Sequence, residues 1–356
     1  MSSLSRDEIL YWLKEKDESR LEQLWQKADK VRSENVGDEV FFRGLIEFSN
    51  HCMRQCAYCG IRAGHAGVER YRMSDEEILK CAHQAVRYGY GTVVLQSGED
   101  PGITTERITT LVKRIKDETG LAITLSVGER EEAELLQWRQ AGADRYLLRF
   151  ETSNPDLFAR IHPSHPGKSI SRIEQLKMLR RLDFEVGSGI MIGIPGQTWD
   201  DLANDLLLFH ELDLDMIGIG PFLPHPDTPL GKEPQAWMAP PDLQVPNTEH
   251  MTYKAVALAR LQCPGANLPS TTALATVNLA EGRELGLQRG ANIVMPNLTP
   301  VEYRAYYEIY PAKACISETS EQCAGCLKGR VESIGRSVGE GPGRSPNWDS
   351  RRAGGN

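Results

Sequence analysis

The sequence predicts a (β/α)8 barrel. Eight short runs rich in β-branched and aliphatic residues recur along it, and most intervals between them carry an amphipathic helical pattern. The alternation takes about 260 residues, the usual span of such a barrel. A doubly wound sheet is the competing arrangement.

The elements follow in order. Ser5-Arg6-Asp7-Glu8 is a capping box that opens a helical region to about residue 34, with Ile9, Leu10 and Leu13 on one face. Strands are expected at 41–48 (FFRGLIEF), 91–97 (GTVVLQS), 122–128 (AITLSVG) and 145–151 (RYLLRFE), then at 185–193 (EVGSGIMIG), 216–222 (MIGIGPF), 267–274 (NLPSTTAL) and 292–297 (NIVMPN). A second capping box, Ser74-Asp75-Glu76-Glu77, starts a helix ending near Gly89, and further helices are expected at 104–118, 130–141, 171–182 and 199–212. Residues 226–250, rich in Pro and polar side chains, read as a long loop. The Gly-, Arg- and Ser-rich end reads as a mobile tail, and its GEGPGR is a weak glycine pattern without strand or helix context. The chain thus divides into a helical extension (1–37), the barrel (38–300), a C-terminal segment with cysteines (301–334) and the tail (335–356).

Composition narrows the function. The 356 residues hold 41 basic and 49 acidic side chains, a net charge of −8, which argues against a nucleic-acid partner. No apolar segment is long enough to cross a bilayer, and the N-terminus lacks the pattern of a secretory leader, so a cytoplasmic protein without membrane association is expected. There, eight cysteines read as metal ligands or core fillers rather than disulfides. Cys81 and Cys263 fall in apolar helical patterns and are expected in the core.

Three cysteines stand apart. NHCMRQCAYCG, residues 50–60, follows the first strand and so lies on the loop at the face of a barrel where chemistry gathers. Cys52, Cys56 and Cys59 can bind three irons of a [4Fe–4S] cube and leave the fourth open. A zinc site would need a fourth ligand, such as His51 or a distant cysteine. Strand alternation puts Arg145, Arg149 and Glu151 on one interior face, where charges need partners: either a ligand or an ion-pair layer. Ser126 and Glu129 fall at the mouth. Thr271 and Thr272 are small hydroxyls suited to an anion. Beyond the eighth strand, Cys315, Cys323 and Cys326 suggest a second iron–sulfur site, with a zinc knuckle or a redox C-x2-C pair as alternatives.

The C-x3-C-x2-C loop after strand one resembles that of the radical S-adenosylmethionine (SAM) superfamily. The resemblance implies a (β/α)8 TIM barrel of radical SAM type, whose open iron chelates SAM and whose electron cleaves it to methionine and a 5′-deoxyadenosyl radical. RYRMSDEEI, VVLQSGEDP, GADRYLLRFETSNP, IGIGPFLPHPDTPL and NIVMPNLTP, with both cysteine sets, resemble the HydE family of radical SAM [FeFe]-hydrogenase maturases from about residue 38 to 328. Biotin synthases and methylornithine synthases share some fragments but not the second triplet. The resemblance implies SAM contacts at Tyr58, Ser126, Glu151 and Arg172. It implies a substrate cavity lined by Gln96, Arg145, Thr271, Thr272, Met295, Tyr303, Tyr307 and Tyr310, and an accessory cluster, [2Fe–2S] in type, on Cys315, Cys323 and Cys326. QSGED takes the place of the motif whose backbone receives the SAM amino group, GIMIGIPGQT that of the strand packing the adenosyl group, and Phe150 stands where some relatives carry histidine. The implied substrate is an iron–cysteine complex bearing CO and cyanide. The implied partners are a ferredoxin or flavodoxin reductant and, transiently, other maturases. A related radical SAM enzyme of the methylornithine synthase or biotin synthase type and a non-catalytic iron–sulfur carrier are the alternatives.

Overall fold

A computed structural model describes residues 3–164 and 170–353. Its centre is a curled, wholly parallel sheet: β1 (Glu39–Ser49), β2 (Thr92–Ser97), β3 (Ala122–Ser126), β4 (Arg145–Leu147), β5 (Glu185–Ile192), β6 (Met216–Pro221), β7 (Ile293–Val294) and β8 (Ser337–Val338). The pairing order is β6-β5-β4-β3-β2-β1-β7, with β8 also on β1. Helices fill the crossovers. The two capping boxes form as read, Ser5 opening helix Arg6–Lys14 and Ser74 opening helix Asp75–Arg87.

The expected seventh strand shrinks to single bridges, Met216 with Asn267 and Pro269 with Ile293, and these close the ring between β6 and β7. Pro269 has no N–H for a ladder, and two residues later Thr271 accepts from Leu274 N and starts helix Thr272–Val277. The fourth strand leaves its ladder after Leu147, and only a bridge from Glu151 to Ile190 continues it. Glu151 sits at φ 63, a backbone conformation costly for a residue with a Cβ and common at functional sites.

The tail is the clearest departure. Residues 335–353 are built into the barrel rather than hanging from it. β8 pairs with β1, and Gly339 N donates to Val40 O at 3.0 Å. The GEGPGR stretch then crosses the open N-terminal end of the barrel, where Pro342 O accepts from Thr92 Oγ1 (2.9 Å) and Arg145 Nη2 (2.9 Å). Gly343 O accepts from Arg43 Nη2 (2.9 Å) and Asn267 Nδ2 (3.0 Å), and Ser345 N donates to Glu185 Oε1 (2.9 Å). Helix Pro346–Ala353 follows, held where Arg351 meets Asp213 at 2.5 Å. The carbonyls of Pro342 and Gly343 thus serve as acceptors for buried guanidinium groups, which composition alone does not reveal.

Interior side chains therefore form layers along the barrel axis. Arg43, Arg145 and Glu185 lie at the bottom against this plug, whereas Glu47 and Arg149, further along the same strands, line the top cavity beside Leu45 and Leu147.

Candidate active site

The cysteine loop is pinned on three sides. Met53 N donates to Glu99 O (2.9 Å), Ala57 N to Ile161 O (2.7 Å) and Gly60 N to Ile309 O (3.0 Å). Arg70 Nη1 donates to Asn50 O (2.6 Å) and Ile61 O (2.7 Å), clamping both ends. Gly98 of the QSGED turn is needed for this approach. A Cβ there would overlap the His51 carbonyl oxygen and lie 2.8 Å from Cys52 Cβ.

Burial raises all three thiols, Cys56 to about 12, and the charges of Cys56 and Cys52 push Cys59 up further, so the three sulfurs sense one another. Iron would supply the positive charge that three buried thiolates need, and the all-sulfur donor set suits an iron–sulfur cluster. Among the described residues, no group of three or more His, Cys, Asp or Glu gathers at the spacing of a single metal ion.

Charged side chains surround the loop. Arg54 Nε lies 3.2 Å from Glu99 Oε1, and its Nη2 pairs with Glu129. Arg172 donates from Nε to Glu129 Oε1 (3.0 Å), from Nη1 to Arg149 O (2.6 Å), and from Nη2 to His162 Nε2 (2.6 Å). Burial first, then Arg172 and Arg54, drive His162 down to about 2, so its ring is neutral and can accept. The Arg172 fork is thus already engaged behind the cavity wall.

Above the middle layer lies a cavity of about 250 Å³. Tyr58, Cys59, Ser126 and Glu151 are among its lining residues. Gln96, Thr271, Thr272, Met295 and Tyr310 line it too. Arg149 Nε donates to Glu151 Oε2 at 3.1 Å. The lining also holds a pair that the sequence did not reveal: Lys313 bonded to Glu47, whose Oε2 also accepts from Asn297 Nδ2 at 2.9 Å. Glu47 carried a signal, an acid alternating inward on an apolar strand; Lys313, in an irregular segment, carried none. Arg54 and Glu99 were likewise missed, since their pairing joins two loops distant in sequence.

Three residues expected in the cavity are elsewhere. Arg145 points inward but at the bottom layer, paired through Nε with Glu185 Oε2 at 2.6 Å and through Nη1 with Thr92 Oγ1 at 3.0 Å. Tyr303 stacks on Tyr71 (centroids 4.7 Å apart) and donates to Glu77 Oε1 at 2.8 Å, outside the barrel. Tyr307 is buried beneath Lys313, whose Nζ lies 5.3 Å from its ring centre. Spacing of three and four residues would align Tyr303, Tyr307 and Tyr310 on one helical face, but the helix ends at Arg304 and only Tyr310 reaches the cavity.

Cys315, Cys323 and Cys326 line a second hollow with Arg283 and Arg330. Cys323 and Cys326 ride helix Ser320–Ser333, and Cys315 sits at φ 64. A small void lined by Cys315, Cys323, Leu45, Thr272, Met295 and Lys313 adjoins both this hollow and the cavity.

The family model for the radical SAM superfamily matches residues 46–209. The "[FeFe] hydrogenase maturase subunit HydE" of Thermotoga maritima is 45% identical over 331 residues, covering 93% of this chain and 89% of that protein. The chain belongs to the HydE family of radical SAM proteins. The crystal structure of methylornithine synthase (PylB) superposes on this family member with a TM-score of 0.79, at 25% identity, covering 99% of this chain and 97% of that one. The structure of HydG, a maturase of the [FeFe]-hydrogenase, gives 0.78 at 16% identity, covering 99% of this chain and 77% of that one, a likeness of fold. As a HydE-family chain the protein is a radical SAM enzyme, and a [4Fe–4S] cluster and SAM come with that membership. No helix among the described residues is long and apolar enough to cross a membrane.

Proposed function

We propose that this protein serves [FeFe]-hydrogenase maturation by acting on a small iron–cysteine complex bearing CO and cyanide. The observation that carries the reading is the top cavity, which joins the Cys59 and Tyr58 side to the Lys313–Glu47 pair within one enclosure. The 45% identity to a maturase over nearly the whole chain favours this substrate class over lysine.

Cys52, Cys56 and Cys59 would hold the cluster, which when bound supplies the electron that splits the C5′–S bond of SAM to give methionine and a 5′-deoxyadenosyl radical. Tyr58, Ser126 and Glu151 would orient SAM at one wall, with Arg172 fixing Glu129 and Arg149 from behind. Gln96, Thr271, Thr272, Met295 and Tyr310 would enclose the substrate. Lys313 and Glu47 would meet its carboxylate and ammonium, because an ion pair can be exchanged for zwitterion contacts without leaving a charge bare. Leu45, Leu147 and Met295 keep the enclosure largely apolar and restrict water near the reacting carbon. Cys315, Cys323 and Cys326 would hold an accessory cluster, [2Fe–2S] in type. A ferredoxin or flavodoxin would deliver the electron, and the product would pass to a partner maturase in a transient contact.

The test compares 5′-deoxyadenosine formed from SAM and dithionite with either the iron–cysteine complex or lysine added. Stimulation by the complex alone is expected. Stimulation by lysine alone would reassign the protein to the methylornithine synthase type, and no SAM cleavage under either condition would leave an iron–sulfur carrier.

A further inference from the structure

One buried cation beside the accessory cysteines has a donor without a partner. Arg283, on helix Gly282–Gln288, is only 5% exposed, and its Nη1 makes no hydrogen bond. Its guanidinium lines the hollow of Cys315, Cys323 and Cys326 and also the small void toward the reaction cavity. The other arginine of this hollow, Arg330, already has partners, a hydrogen bond to Cys326 among them. Arg330 donates to Glu284 Oε1 (2.7 Å), Ala280 O (2.9 Å) and Leu279 O (3.1 Å). Glu284, the nearest carboxylate in sequence, pairs with Arg330 through Oε1, and its Oε2 has no hydrogen-bond partner. A guanidinium kept in a buried wall with a free N–H is costly unless an anionic acceptor occupies the space it faces.

We propose that Arg283 donates its Nη1–H to a sulfur of the cluster bound at Cys315, Cys323 and Cys326 and thereby stabilises that cluster's reduced state. The proposal rests on the reading that this triplet binds an iron–sulfur cluster. Cluster sulfurs carry negative charge and accept N–H bonds, and one added electron strengthens both the hydrogen bond and the attraction to the cation. Such contacts raise the reduction potential. Arg283 is thus a positioning and tuning residue, not a catalytic one.

The test uses the full chain reconstituted anaerobically with iron and sulfide, titrated potentiometrically and followed by electron paramagnetic resonance (EPR). Cys323→Ala identifies the accessory signal by removing it together with its iron. Arg283→Met is expected to lower the accessory midpoint so that, at the wild-type midpoint, the reduced-to-oxidised ratio falls at least about tenfold, which is about 59 mV for a one-electron couple. Arg283→Lys, keeping the charge but not the planar fork, should fall in the same direction by less. Lys328→Met, which removes an exposed charge of helix Ser320–Ser333 that does not line the hollow, should leave the midpoint nearly in place, and the first cluster should not shift in any of these variants.

An unchanged accessory midpoint in Arg283→Met, or an equal shift of both clusters, overturns the proposal. Should the Met variant not fold, the Lys variant decides, and a wild-type midpoint there overturns it equally. If Cys323→Ala takes away no iron, the triplet binds no cluster, and the proposal falls together with the reading beneath it.

Discussion

Cys56→Ala abolishes the SAM-perturbed [4Fe–4S] signal and reduces SAM cleavage to background, the largest loss expected from any single substitution in this chain. Cys56 is buried in a loop pinned at Glu99, Ile161 and Ile309, so no neighbouring sulfur can swing in to replace it. The deletion removes little volume, and the backbone bonds of the loop do not pass through the Sγ atom. The fold should persist, with a thermal midpoint near that of the wild-type apoprotein. Cys81→Ala is the control: Cys81 is a buried core residue of helix Asp75–Arg87, and its loss should cost stability but no iron. Retained cleavage in Cys56→Ala would remove the first triplet from the radical site.

Arg145→Met destabilises the fold instead of disabling the cavity. Side chains of Arg145 and Glu185 are 2% and 3% exposed, and Nε meets Oε2 at 2.6 Å. Removing one partner strands a buried carboxylate with Ser345 N as its remaining bonded donor, and breaking such a pair costs roughly 3–5 kcal/mol. Pro342 O and Thr92 Oγ1 lose a donor as well, which loosens the plug. The thermal midpoint should drop by several degrees, while SAM affinity and turnover per folded molecule stay near wild type because Arg145 does not line the cavity. Arg145→Met combined with Glu185→Gln should recover part of the loss, since the stranded charge is gone. A variant of normal stability with lost turnover would return Arg145 to the substrate.

These two residues show where the sequence is legible. The Cys52–Cys59 spacing, the Ser5 and Ser74 capping boxes and the inward alternation of Arg145, Arg149 and Glu151 are local patterns, and local patterns are what side-chain period and capping chemistry encode. Depth along the barrel axis is not local. Arg145 and Arg149 share a period yet differ by two layers, and only the plug of residues 339–345 reveals which layer is the floor. That plug was itself invisible because its bonds run through backbone carbonyls of glycine and proline, which composition reads as disorder. The seventh strand failed for a similar reason: Pro269 and the capping Thr271 convert an apolar run into bridges and a helix start. Of three aligned tyrosines only Tyr310 reached the cavity, because a helix that ends at Arg304 breaks the periodicity. The Lys313–Glu47 and Arg54–Glu129 pairs join residues far apart in the chain, and no single-sequence spacing records them.

The central claim is that a radical made at the Cys52–Cys56–Cys59 face reaches an iron-bearing substrate in the cavity bounded by Lys313 and Tyr310. The direct measurement is freeze-quench EPR of the reconstituted enzyme with SAM, dithionite and the iron–cysteine complex, prepared with and without a magnetic iron isotope in the complex. The account predicts a new radical signal that requires the complex and broadens when its iron is labelled. A signal that forms equally without the complex, or that is unaffected by its iron, would contradict it.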